Sequence, residues 1–226
     1  MTTRPEVIDW GIVGQNAALR LINVDDPIDV ERYWETDQSV GDDLMVDGIE
    51  TLDELIANAQ GNGPHIGFTY AISGVAGDET GELQGFVQFT PDKGDELRDK
   101  IEQTGLFHFA RDIAIWEISY ARHPHAASGQ VASAVRQACV LLLTELDRDE
   151  CYPRVAIIGC VGPDENPASM RVLASAGFAP LASPREEPLV MIRYHDQATT
   201  LDSVWLLNWN LLNQKLRAKA ARHWEQ

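Results

Sequence analysis

Two hydrophobic patterns alternate along this chain. Continuous apolar runs and runs with a period of two are typical of β-strands, and they occupy residues 17–24, 65–73, 82–90, 113–120, 154–162 and 189–195. Segments with helical spacing or helix-start signals occupy residues 26–37, 51–60, 91–105, 131–146, 166–177 and 199–226. This order of strands and helices predicts an α/β domain with a mixed sheet.

Capping residues mark the starts of the first two predicted helices. Asp26 precedes Pro27, a pair that suits an N-cap followed by the first helical position. Thr51 opens a Thr-x-x-Glu capping box, in which two side chains satisfy backbone N–H groups reciprocally. The acidic stretch between these helices, residues 39–48, predicts a loop.

The C-terminal segment has an apolar stripe at helical spacing. Trp205, Trp209, Leu212 and Leu216 fall on one face of a helix, and basic residues crowd its last turns. We therefore expect residues 1–198 to form one domain and residues 199–226 to form an amphipathic helix. This helix would pack on the domain or on a partner in a homodimer.

Charge and cysteine content restrict the classes of partner. The formal net charge is −17, and so acidic a surface repels nucleic acid and attracts cationic amines. The three cysteines form no CxxC pair, which favours reduced thiols. No segment is long and apolar enough for a membrane span, and the N-terminus lacks a signal sequence, so we expect a cytoplasmic protein without membrane contact.

The strand at residues 113–120 carries a carboxylate among apolar residues. Glu117 shares one face with Ile113, Ile115 and Ser119, whereas Trp116 and Tyr120 lie on the other. Burial raises the pKa of a carboxyl group toward the range in which it works as a base, so Glu117 is a candidate general base. The alternatives are a Glu paired with a buried Arg and a Glu that faces solvent.

The segment after this strand combines a Pro-containing turn with small residues at the start of a helix. A helix start without bulky side chains lets an anion approach backbone N–H groups. His123 and His125 of this turn could bind phosphate or act as a base, but two histidines in a proline turn are more often structural. No motif for a metal, a P-loop or a serine nucleophile is present, so no metal is expected.

These segments resemble the GNAT superfamily of acyl-CoA-dependent N-acyltransferases. Residues 166–178, in which Asn166 (or Asp164) can cap a helix and Gly177 can end it, resemble the Asn-to-Gly-Phe signature of the family's last core helix. Residues 116–124 and 128–135 resemble its fourth strand and pyrophosphate loop, and the hairpin that contains residues 81–89 resembles its second and third strands. The resemblance implies a mixed, mostly antiparallel sheet with helices on both faces, here followed by the extra C-terminal helix.

The resemblance also implies residue roles. Backbone groups near Ser119 to Ala121 would pair with the pantetheine arm of acetyl-CoA where the fourth and fifth strands splay apart, and Asn166 would touch the same arm. Glu117 would accept the proton of the amine. The acid would be Ser169 or Tyr120, because Leu173 stands where the family often has a tyrosine. The pyrophosphate would be held by a cradle of consecutive residues: Ser128, Gly129, Gln130, Val131, Ala132 and Ser133.

The resulting hypothesis is an acetyl-CoA-dependent N-acetyltransferase that acts on a primary amine, either a small cationic molecule or a protein N-terminus or lysine. Residues 124–133 do not reproduce the family's Q/R-x-x-G-x-G/A loop in either register. That departure leaves a non-catalytic CoA-binding module as one alternative. The other is a GNAT-like enzyme that modifies nucleobases, which the net charge of −17 disfavours.

Overall fold

The computed structural model describes residues 18–44, 51–59, 68–73, 82–105, 107–126, 129–148, 154–161, 166–181, 190–195 and 198–207. The strands within these ranges are β1 (Ala18–Leu21), β2 (Phe68–Ser73), β3 (Leu83–Pro91), β4 (Ile113–Arg122), β5 (Arg154–Val161), β6 (Phe178–Pro180), β7 (Val190–His195) and β8 (Ala198–Leu207). The helices are α1 (Pro27–Leu44), α2 (Leu52–Ala59), α3 (Glu96–Glu102), α4 (Gln130–Arg148) and α5 (Pro167–Ala176).

The described strands form one sheet in the order β1-β2-β3-β4-β5-β8-β6, with β7 also paired to β8. Among them β4 and β5 form the only parallel pair, and every other pair is antiparallel. The predicted mixed, mostly antiparallel sheet is therefore confirmed. The parallel pair needs a crossover, which α4 supplies.

Helices cover both faces of the sheet. On one face, α4 and α5 pack in a large core that includes Trp116, Ile118, Val135, Leu142 and Leu173. On the other face lie two smaller groups. The α3 cluster comprises Leu97, Ile101, Phe109, Ile115, Ala156, Ile158, Leu181 and Val204. The α1 cluster comprises Ile22, Tyr33, Ala71, Leu83, Phe86 and Ala121.

Local capping signals in the sequence are confirmed. The Ile28 N–H donates to Asp26 Oδ1 over 3.0 Å at the start of α1. At α2 the Thr51 N–H donates to Glu54 Oε2 over 2.9 Å, and the Glu54 N–H donates to Thr51 Oγ1 over 3.3 Å. These bonds satisfy N–H groups that a helix start leaves without intrahelical acceptors.

Two predictions of secondary structure were wrong. Residues 198–207 form the strand β8 rather than the start of a helix, and this strand pairs with β5 inside the sheet. Its run Val204–Leu207 is apolar on both faces, and such a run has the same hydrophobic signature as a buried helix. Residues 208–226, with the rest of the proposed helical stripe, lie outside the described residues.

The second wrong prediction is the loop at residues 39–48, because α1 continues to Leu44. Its polar residues are compatible with the helix: Ser39 Oγ donates to the Thr36 carbonyl over 2.7 Å. Residues 45–48 lie outside the described part of the chain. No helix in that described part is both long enough and apolar enough to cross a lipid bilayer.

Candidate active site

The parallel pairing of β4 with β5 stops partway along both strands. It runs from the pair Ile113–Arg154 to the pair Glu117–Ile158. Beyond that point β4 continues to Arg122 on the β3 side only, and β5 continues to Val161 on the β8 side only. The two strands therefore part after Glu117, and we call the space between residues 118–122 and residues 159–161 the β4–β5 gap.

Backbone hydrogen bonds show which residues of β4 face this gap. The His123 N–H donates to the Gln84 carbonyl on the β3 side over 2.9 Å. Alternate residues of an antiparallel strand direct their backbone groups to the same neighbour, so Ser119 and Ala121 also bond toward β3. Within the stretch from Ser119 to Ala121 that was predicted to pair with pantetheine, the backbone groups of Ser119 and Ala121 are therefore directed away from the gap. Tyr120, between them, directs its N–H and C=O into the gap.

Glu117 lies at the point where the gap opens. Ile113 and Ile115 pack with the α3 cluster, as the period of two predicts for the face that carries Glu117. Its side chain is half-buried and lies in register with Ile158 of β5. A carboxylate there keeps contact with solvent and borders the gap.

The start of α4 lies close beyond the end of β4. Gly129 has φ +94°, is exposed, and would have open space around an added Cβ. The side chain of Val131 is buried in the core, while Ala132 and Ser133 are half-buried. The first backbone N–H groups of a helix lack intrahelical acceptors, so those from Gln130 onward can receive an anion. Ser128 lies outside the described residues.

The turn between β4 and α4 is fixed by His123. This side chain is only 3% exposed, and its Nε2 lies 3.0 Å from Glu35 Oε2 on α1. The His125 N–H donates to His123 Nδ1 over 3.3 Å, which leaves the proton on Nε2 to donate to Glu35. The structural interpretation of His123 fits this geometry, because both of its ring nitrogens are engaged within the protein.

Three residues that the sequence singled out meet at the start of α5. Asn166 Oδ1 accepts the Ser169 N–H over 2.9 Å and so caps the helix. The Tyr120 hydroxyl donates to the Ser169 carbonyl over 3.0 Å. Burial raises the pKa of the Tyr120 phenol to about 12, although the side chain of Ser169 offsets part of the effect. Tyr120 therefore keeps its proton at neutral pH.

Leu173 belongs to the core. It is 0% exposed and packs on Gly159 of β5, where an added Cβ would lie 2.9 Å from both methyl carbons of the leucine. Gly159 thus lets α5 approach the strand closely. Leu173, which stands where the resemblance would place a tyrosine, packs in the core.

Cysteines do not contribute a nucleophile in the described residues. Cys139 is buried within α4, where burial raises the pKa of its thiol. Cys160 of β5 packs beside the α3 cluster, in line with the packing role expected from the sequence. Cys139 is a free thiol, and Cys151 lies outside the described residues.

Sequence reasoning missed a group of polar side chains on the face that carries Glu117. Thr90 lies opposite Glu117, and Gln88 lies opposite Ser119, while Thr69 of β2 lies opposite Gln88. The period of two in residues 82–90 already places Gln88 and Thr90 on one face. Their position beside Glu117 depends on strand register, which no feature of a single strand specifies.

Several solved structures share this architecture. One is the ribosomal-protein-S5-alanine acetyltransferase from Vibrio fischeri, with a TM-score of 0.53 and 13% identity over 86% of this chain and 94% of that chain. Another is Arabidopsis thaliana NAA60 in complex with acetyl-CoA, with a TM-score of 0.52 and 15% identity over 84% of this chain and 97% of that chain. The chain has the GNAT fold.

The chain matches no protein-family model and no curated protein sequence. Its likeness to the GNAT structures therefore lies in the arrangement of strands and helices. Gln130 is buried at the start of α4, and Leu173 of α5 is buried in the core.

Proposed function

We propose that this protein is an acetyl-CoA-dependent N-acetyltransferase that acts on a primary amine. The observation that carries the proposal is the β4–β5 gap, which opens after Glu117 and is flanked by the N-termini of α4 and α5. An extended, slender ligand that ends in a diphosphate fits such an arrangement, because strand-edge groups and helix N-termini offer hydrogen bonds along its whole length.

Acetyl-CoA would be held by backbone groups more than by side chains. Tyr120 directs its N–H and C=O toward the gap, where a pantetheine amide can pair with them. The N–H groups from Gly129 to Ser133 would receive the pyrophosphate, and the open space at Gly129 leaves room for it. Asn166 is proposed to border the same arm, with its Oδ1 already engaged as the cap of α5.

Acetyl-CoA supplies the activated acyl group, and the protein supplies the proton transfers. Glu117 would accept a proton from the amine, directly or through water, as the nitrogen bonds to the acyl carbon. The departing sulfur would receive a hydrogen bond from Tyr120, whose single O–H would turn to it from the Ser169 carbonyl; the phenol keeps its proton because burial raises its pKa to about 12. Ser169, which lies next to Tyr120, is the alternative donor.

The acceptor would be a cationic amine, either a small molecule or a peptide. The formal net charge of −17 favours cations near the surface. The named structural neighbours are consistent with amine acceptors, since one is an alanine acetyltransferase of a ribosomal protein.

The test combines ligand binding with turnover. Acetyl-CoA should raise the melting temperature of the protein, because a ligand bound only by the native state stabilises it. CoA release should then be measured across a panel of primary amines for the wild type, Glu117→Gln and Glu82→Gln. Glu82 is a matched control because it borders the same sheet at the start of β3 and pairs with Arg32 instead.

We expect Glu117→Gln to lower kcat by roughly 10²–10⁴-fold, the usual contribution of a general base. Its affinity for acetyl-CoA should stay close to that of the wild type, and Glu82→Gln should retain activity. An unchanged kcat in Glu117→Gln would remove this residue from the mechanism. Failure of acetyl-CoA to stabilise the protein would refute the acyl-CoA site itself.

One observation favours a second function, a non-catalytic CoA-binding module. Leu173 occupies the place of the acid that GNAT enzymes often use, and it is buried in the core. Such a module would bind acetyl-CoA but release no CoA with any amine of the panel. Turnover that depends on Glu117 excludes it.

A further inference from the structure

A band of polar side chains crosses the sheet between two apolar clusters. On the face covered by α1, α2 and α3, β4 presents Ile115 to the α3 cluster and Ala121 to the α1 cluster. Between them come Glu117 and Ser119. Polar residues of β3 and β2 lie opposite these two residues and also separate the apolar clusters. We define the polar band as Glu117, Thr90, Ser119, Gln88 and Thr69.

Strand register aligns the band in two rows. One row joins Glu117 to Thr90, and the other joins Ser119 to Gln88 and Gln88 to Thr69. Adjacent strands lie about 5 Å apart, so the second row spans about 10 Å from β4 to β2. Ser119 is exposed, Gln88 is half-buried and Thr69 is buried. The band therefore runs inward from solvent beside the candidate base.

Two side chains in the row from Ser119 to Thr69 have polar atoms that are not hydrogen-bonded within the described part of the chain. Thr69 is 3% exposed, and its buried Oγ1 has no hydrogen-bond partner among the residues that the structure describes. Within the described part of the chain, no hydrogen bond to the Gln88 side-chain amide is seen. A buried hydroxyl without a partner is costly, and such groups commonly mark a site where another molecule completes the bonding.

Thr69 and Gln88 are placed to act together. The Gln84 carbonyl bonds toward β4, and Gln88, an even number of residues along the strand, directs its backbone groups the same way. The backbones of Thr69 and Gln88 therefore do not hydrogen-bond to each other, although the two residues lie opposite one another. Side chains of such pairs lie closest together, with Cα atoms about 4.5 Å apart. The Thr69 hydroxyl is thus within reach of the Gln88 amide and can fix its orientation when the other side of the amide engages a ligand.

We propose that the polar band is the acceptor subsite and that it selects amines carrying a neutral amide or hydroxyl group. This inference rests on the proposed acyltransfer. The amine would lie at Glu117, and its neutral group would bond to Gln88 and Ser119, about 5–10 Å away. Thr69 is a positioning residue for Gln88. Glu117 is the only carboxylate of the band, so a polyamine would find no partner there for a second cation.

The test compares three acceptors of similar length: a dipeptide amide, an n-alkylamine and an α,ω-diamine. Two residues of extended peptide span about 7 Å, which matches the distance from Glu117 to Gln88. CoA release should be measured for the wild type, Gln88→Leu, Thr69→Val, Thr69→Ser and the control Gln84→Leu. Gln84 lies on the same strand but outside the polar band, and its carbonyl accepts the His123 N–H.

The wild type should favour the dipeptide amide over both other amines by roughly tenfold or more in kcat/KM, as expected for two hydrogen bonds. Gln88→Leu and Thr69→Val should each raise KM for the dipeptide amide and lower this preference roughly two- to tenfold. Thr69→Ser, which keeps the hydroxyl, should restore it. Gln84→Leu should leave the preference unchanged.

Loss of folding is separated from loss of the subsite by thermal unfolding. Thr69→Val should unfold at the wild-type temperature or above, because it removes a buried hydroxyl that no described residue bonds. Equal kcat/KM for the three amines in the wild type overturns the subsite and leaves acyltransfer intact. A preference for the diamine likewise overturns it. Absence of turnover with every amine overturns both proposals.

Discussion

Replacing Tyr120 with phenylalanine tests the junction of β4 with α5. The phenol is the donor in a 3.0 Å hydrogen bond to the Ser169 carbonyl, and the ring otherwise packs against the main core. Phenylalanine keeps the ring and removes only this donor. At pH 7 we therefore expect a loss of about 1 kcal/mol in the free energy of unfolding, the usual net value of one hydrogen bond.

The pH dependence of this variant should differ from that of the wild type. Burial raises the pKa of Tyr120 from 10.0 to about 12 in the folded protein. A raised pKa means that the folded state holds the proton more tightly, so the associated stability is complete below pH 10 and is lost as pH rises toward 12. This difference in pKa between the folded and unfolded states corresponds to about 2–3 kcal/mol in the free energy of unfolding. The wild type loses that stability at high pH, whereas Tyr120→Phe does not, because phenylalanine has no proton to lose.

The assay is urea unfolding of both proteins from pH 7 to pH 11.5. The wild type should be more stable at pH 7, and the two stabilities should become equal between about pH 10 and 11. Ionisation of the other tyrosines affects both proteins and cancels in the comparison. A constant difference across the whole range would refute the assignment of a raised pKa to Tyr120.

The same variant measures how Tyr120 contributes to turnover. A free thiol has a pKa of about 8.5, so complete proton transfer from a phenol with a pKa of about 12 is uphill by roughly 5 kcal/mol. We therefore expect Tyr120 to act as a hydrogen-bond donor and Tyr120→Phe to lower kcat roughly tenfold. A fall as large as that expected for Glu117→Gln would show instead that Tyr120 is a full general acid.

Two further predictions concern the helix starts that border the gap. Gly129→Ala and Gly94→Ala should each lower the free energy of unfolding by about 1 kcal/mol, because both residues have positive φ (94° and 82°) and open space around them. Only Gly129→Ala should also weaken acetyl-CoA binding in calorimetry; equal binding by both variants would contradict the pyrophosphate site. Asn166→Ala should cost about 1 kcal/mol in urea unfolding through loss of the α5 cap, and Asn166→Asp should not.

Features that depend on neighbours in sequence were predictable. The capping box at Thr51 and the cap at Asn166 need only residues three positions apart, so a linear pattern contains all the information. The β4–α4–β5 unit was predictable for a similar reason, since its apolar periods are long and regular.

Features that depend on register were not predictable. Nothing in the sequence of β3 states that Gln88 pairs with Ser119 or Thr90 with Glu117, so the polar band was invisible. Within the predicted pantetheine stretch from Ser119 to Ala121, the sequence could not state which residue faces the gap, because the direction of backbone groups is set by the bonds to β3. At residues 198–207 a short apolar run fits a strand and a helix equally well, and its pairing with β5 decided the outcome.

The gap has a consequence for how the two proton-handling groups can cooperate. Glu117 and Tyr120 are three residues apart on β4, so their side chains project from opposite faces of the sheet. With β4 and β5 paired along their full length, the sheet would separate an amine beside Glu117 from a sulfur beside Tyr120. Because pairing ends at Glu117–Ile158, a thioester can pass between the strands and present its carbonyl to one face while its sulfur stays near the other. The proposed roles of Glu117 as the base and Tyr120 as the hydrogen-bond donor to sulfur therefore require that β4 and β5 separate after Glu117. Closing the gap would abolish turnover even with both side chains intact.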